Sequence, residues 1–173
     1  MRLAGAGLGV DVPAGWDARI YTRPLSEPAV LPLPEAAPFS RQPSTSGGTA
    51  SLHAASFPLP REDGDFGTGA TSDMPASGAF VALLEYESGG GLEPGVGLFE
   101  AIGPPAPLRR DDLAPDALLR ARPGQEGAQR FFTADGRPFC LYVVVGSAAP
   151  ARTLPDVNRL VASLRFSPVP RVG

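Results

Sequence analysis

The sequence predicts an α+β domain: a twisted, mostly antiparallel sheet with a C-terminal helix packed on one face and long Pro/Gly-rich loops. Three observations carry this reading. Residues 127–134 (GAQRFFTA) and 138–146 (PFCLYVVVG) are strand-like runs joined at Asp135-Gly136, the strongest short hairpin signal. Leu154, Val157, Leu160, Val161 and Leu164 recur at spacings of three and four, forming one apolar helix face. Elsewhere, short apolar or alternating runs end at Gly and Pro, as strands do.

The chain of 173 residues suits a single domain, 1–173. Gly and Pro, 21 each, together reach roughly twice their usual share. The net charge of −3 is too small to hold the chain open by self-repulsion. The excess Gly and Pro therefore belong to loops, with insertions expected at 23–50 and 61–78.

Taken in order, residues 8–12 (LGVDV) and 16–22 (WDARIYT) alternate around Pro13-Ala14-Gly15 and read as a hairpin. Residues 51–57 read as a strand stopped by Pro58 and Pro60. Residues 79–86 (AFVALLEY) are almost continuously apolar, as a central strand requires. Residues 98–102 (LFEAI) read as a short strand, and 111–121 as weak helical turns with Pro115 confined to a first turn. The helix is expected at about 154–164, with Thr153 as its capping hydroxyl, Pro155 in its first turn and Asp156 near its N-terminus. A short strand at 165–167 closes the chain before Pro168.

Composition excludes several chemistries. All 15 basic residues are Arg, which points to the codon bias of a GC-rich bacterial genome. Without Lys there is no Schiff-base lysine, Walker lysine or lysine base. The pI near 5.1 argues against a nucleic-acid binder. The local group Arg109, Arg110, Arg120 and Arg122 is diluted by Asp111, Asp112 and Asp116. The single Cys140 excludes an internal disulfide and a multi-cysteine zinc site. The opening run is too broken by Gly for a secretory signal, and no window is apolar enough for a membrane span. A soluble cytoplasmic protein is the expectation.

Two stretches carry a family resemblance. Val10-Asp11-Val12-Pro13-Ala14-Gly15-Trp16 resembles the strand, Pro-x-Gly-Trp, strand entry of the PsbP/Mog-like α/β/α sandwich group. Residues 157–166 are similar to that group's terminal helix followed by Ser-Leu-x-Phe, here Ser163-Leu164-Arg165-Phe166. The insertion at 23–50 and the missing strong N-terminal helix depart from the pattern. The resemblance covers both ends and about half the chain and maps no site residues. It implies an accessory or binding protein, since members are mostly non-catalytic.

Candidate reactive residues have ordinary structural readings. Gly5-Ala6-Gly7-Leu8-Gly9 lacks the strand before and the helix after that a dinucleotide loop needs. His53, the sole histidine, reads as a strand residue, and Cys140 as an inert thiol in an apolar strand. A His53–Cys140 dyad would require adjacent strands and a shared face. The Asp63-to-Asp73 loop has Met74 where a calcium loop needs Glu. Glu85 and Glu87 flank Tyr86 as a polar strand end, and Trp16 reads as a core anchor. Pro28, Pro32 and Pro34 could present a polyproline stretch.

These readings favour a non-enzymatic accessory domain that binds another protein and requires no cofactor or metal. The alternative is a small-molecule-binding module with a pocket between sheet and loops, for which Trp16, His53, Phe80 and Tyr142 are the candidate lining residues. An enzyme built on His53, Cys140 or loop carboxylates ranks third.

Overall fold

A computed structural model describes residues 1–24, 48–62, 64, 66–89 and 92–168. The chain is α+β, as its hydrophobic patterning predicts, but its strands form two antiparallel sheets rather than one. The five-stranded sheet contains β3 (Asp17–Pro24), β4 (Gly48–Ala55), β5 (Ala79–Glu85), β6 (Gln125–Ala134) and β7 (Arg137–Gly146), in the order β3-β4-β5-β7-β6. The three-stranded sheet contains β1 (Arg2–Gly5), β2 (Leu8–Asp11) and β8 (Arg165–Phe166), in the order β1-β2-β8.

The β6–β7 hairpin forms where expected. Asp135 (φ 50°) and Gly136 (φ 68°) both take left-handed backbone, which matches the twist of paired strands. The hairpin expected across Pro13-Ala14-Gly15 does not form. β2 instead pairs with β1 around Ala6 (φ 49°) and Gly7 (φ 71°), so the Gly-rich opening is a hairpin turn. Both edges of β2 are then occupied, by β1 and β8, and β3 pairs with β4 over its whole length. The Pro13–Gly15 turn, closed by Trp16 N–H donating to the Pro13 carbonyl, passes the chain from one sheet to the other.

Two other expectations change. Residues 98–102 are no strand: Gly97–Phe99 is a 3-10 turn, and Ile102 makes one parallel bridge to Thr133. Gly97 (φ 58°) and Gly103 (φ 84°) bend the backbone on either side. The turn drives Phe99 into contact with Tyr86 and Phe131. Thr133 N–H donates to Ala101 O, and Ala114 exchanges two hydrogen bonds with Gly127, so this segment shields the edge of β6. Within the expected 61–78 loop lies a one-turn helix, α1 (Thr68–Ser72). It is reached through Gly67, where a Cβ would fall 2.0 Å from the Phe80 ring. Of the 23–50 insertion, residues 23–24 extend β3 and 48–50 open β4; Pro28, Pro32, Pro34 and the rest lie outside the described residues. The expected turns in 111–121 form as 3-10 turns at Arg110–Asp112 and Pro115–Ala117.

The C-terminal helix, α2 (Thr153–Ala162), buries Val157, Leu160 and Val161 against the five-stranded sheet and β2. Leu164 joins them, and burying these four side chains contributes about 6–12 kcal/mol before entropy. Thr153 does not cap it. Arg152 already has helical backbone (φ −72°, ψ −16°), so the chain enters α2 through a turn and Thr153 is its first residue, buried. The opposite face of the large sheet carries a second core of Phe80, Ala82, Leu84, Tyr142 and Val144 under α1, Phe66 and Leu118.

Arg137 joins the two sheets. Its guanidinium donates to both Glu85 carboxylate oxygens at 2.7 Å and to the carbonyls of Ala6 and Gly7 in the β1–β2 turn. It also reaches Ser167 O beyond β8 and lies over the Phe139 ring. Both side chains of the pair are largely buried, at 10% and 15% exposure.

Candidate functional site

A groove of about 950 Å³, open to solvent, runs between the Pro13–Trp16 turn and the outer side of α2. Its walls follow from two local patterns. On α2, Arg152, Asp156, Arg159 and Ser163 recur at helical spacing on the side away from the apolar stripe. Facing them, the turn presents Trp16, half-buried and packed against the core beneath. The two walls are tied by the Asp11 N–H, which donates to Ser163 Oγ at 2.8 Å. Ser56, Ser77, Pro150 and Arg165 of β8 complete the lining.

The groove is electrostatically lopsided. Asp11 accepts from Arg165 Nη2 at 2.8 Å and from Arg2 Nε at 3.0 Å. These hydrogen bonds hold its carboxyl at about 2, below the ordinary 3.8, and Asp11 in turn raises the Arg165 guanidinium. Asp156, 14% exposed, pairs with Arg159, whose side chain is 72% exposed. Arg152 is exposed and makes no ion pair among the described residues. Each guanidinium has five N–H donors, and Arg159 and Arg165 each commit one nitrogen to an aspartate. Donors remain for a guest.

The residues singled out in the sequence do not converge. Trp16 lines the groove on the α2 side of the sheet. His53, Phe80 and Tyr142 lie on the opposite face. His53 is fully buried; its Nε2 sits 3.2 Å from the Tyr21 hydroxyl, and its ring meets the edges of Tyr21 and Phe80. Phe80 is fully buried, and the Tyr142 hydroxyl accepts from Leu119 N–H at 3.3 Å. His53 and Cys140 do share a face, but β5 separates their strands: His53 is opposite Ala82, and Cys140 opposite Leu84. Two strand spacings put roughly 9–10 Å between them before any offset along the strand. The adjacency that a dyad needs is therefore missing. Burial pushes the Cys140 thiol up to about 12. Glu85 and Glu87 also part, the first held by Arg137 and the second exposed. Asp63 and Asp65 lie outside the described residues, and among those described no cluster of three His, Cys, Asp or Glu could hold a metal. Nor is any described helix long and apolar enough to cross a membrane.

Sequence reading missed the groove. Its signal was available in the polar side of α2, where Arg152, Asp156 and Arg159 share a face. What that face looks onto was not available, because the Trp16 turn is brought there by β2 pairing with β8. No family model, no curated protein and no solved structure matches this chain.

Proposed function

We propose that the chain is a non-enzymatic accessory domain that binds another protein, and that the groove along α2 is its docking surface. The supporting observation is the groove itself: an aromatic wall at Trp16 facing three exposed or half-committed arginines, Arg152, Arg159 and Arg165. Aromatic and Arg side chains are the residues that anchor protein interfaces. The walls are built on α2, β8 and a hydrogen-bonded turn, so the surface is preorganised. The test is capture from a lysate of the encoding organism, with the wild-type chain beside Arg159→Glu. A partner in stoichiometric amount, lost by the variant although it still melts cooperatively, is the expected result. No stoichiometric partner, or equal capture by both chains, contradicts the proposal.

A small-molecule-binding module is the second reading. It is favoured by the groove volume of about 950 Å³, which falls within the ~300–1,000 Å³ common for ligand pockets. The charged, open lining favours the protein partner.

A further inference from the structure

We infer that the groove takes an acidic polypeptide segment, lying extended along α2 with carboxylates on Arg152 and Arg159 and an apolar side chain against Trp16. This rests on the protein-binding reading and specifies its partner. The groove holds Arg152, Arg159 and Arg165 against Asp11 and Asp156, and Asp11 is shared with a further arginine, Arg2. This surface is therefore positive on a chain whose net charge is −3. Exposed arginines with uncommitted donors bind planar carboxylates through two parallel hydrogen bonds.

The spacing separates a polypeptide from a single small anion. Arg152 and Arg159 are two helical turns apart, about 10 Å along α2. One phosphate does not span that distance. Side chains three residues apart on an extended polyproline-II chain, with three residues per turn and about 3.1 Å per residue, share one face and do. Trp16 across the groove supplies an apolar platform within the same site. Asp11 and Asp156 oppose a phosphodiester backbone, whose charge repeats without interruption. A peptide can place neutral residues beside them.

Trp16 is the only tryptophan of the chain, so its emission reports on the groove alone. The full chain is titrated with a short peptide that carries glutamates three residues apart, neutral residues between them and one leucine, with its glutamine counterpart, and with oligothymidylate of equal charge. The expected result is a saturable change in Trp16 emission with the glutamate peptide, absent with the glutamine peptide and weakened by added salt. Arg159→Glu weakens it roughly tenfold, and Arg159→Lys weakens it less. An equal response to the glutamine peptide, or none to the glutamate peptide, overturns the inference. A stronger response to oligothymidylate overturns it in favour of a nucleic-acid partner. An unchanged response in Arg159→Glu moves the site elsewhere and overturns it as well. If a captured partner is not displaced by the glutamate peptide, the acidic-segment inference fails while the protein-binding reading stands. If the glutamate peptide binds but no partner is captured, the protein-binding reading fails.

Discussion

The junction between the two sheets and the groove along α2 are both built on arginine, and they use it in opposite ways. At the junction, Arg137 is withdrawn from solvent and its donors are spent on Glu85, Ala6, Gly7 and Ser167. In the groove, Arg152 and Arg159 stand in solvent with donors to spare. A guanidinium whose donors are all used internally is a fastener. One held at the surface with donors unused is available for recognition. The difference lies in desolvation, which makes the loss of a buried partner costly and the loss of an exposed one nearly neutral.

Five substitutions test this contrast. The largest effect is expected from Leu160→Asp, which puts a carboxylate on the fully buried side of the helix whose other side walls the groove. Cooperative thermal melting should disappear, and an unchanged melt would contradict the assignment of that face to the core. Next comes Arg137→Met, which strands the Glu85 carboxylate and should cost about 3 kcal/mol in chemical denaturation. Adding Glu85→Met should restore part of that loss, since it removes the unpaired charge but leaves the Ala50 N–H without its acceptor. A double variant as unstable as the single one would argue against this cause.

A smaller, pH-dependent effect is expected from Asp11→Asn. The Asp11 carboxyl is held at about 2 in the folded chain against an ordinary 3.8. A lowered folded value means that the stabilisation is complete above the ordinary value and disappears as pH falls toward the folded one. The melting-temperature gap between wild type and variant should therefore be constant near neutral pH and close between 3.8 and about 2. A gap that stays constant down to the lower limit would rule out this ion-paired state. The smallest effect on stability is that of Arg159→Glu, which unpairs Asp156 and sets a second carboxylate beside it but removes an exposed guanidinium; it should cost about 1 kcal/mol and abolish partner capture.

Elements fixed by local chemistry were legible in the sequence. Asp135-Gly136 dictates its own turn, the Leu160 stripe dictates its helix, and the unbroken apolar run from Ala79 dictates a buried strand. Choices among distant partners were not legible. Nothing in residues 8–12 says that β2 will pair with β1 and β8 and leave β3 to β4. Nothing around Arg137 says that its partner is Glu85, because that pair forms only once β5 and β7 are side by side. The groove has the same origin. Each wall obeys a local rule, but their meeting depends on the small sheet that brings the Trp16 turn to α2.

Hydrogen exchange on the chain alone and bound to its captured partner shows whether the groove along α2 is the docking surface. New amide protection is expected at residues 14–16 and along α2, with the β6–β7 hairpin and the β1–β2 turn unchanged. Protection confined to other surfaces, with the groove amides exchanging as freely as before, would contradict it.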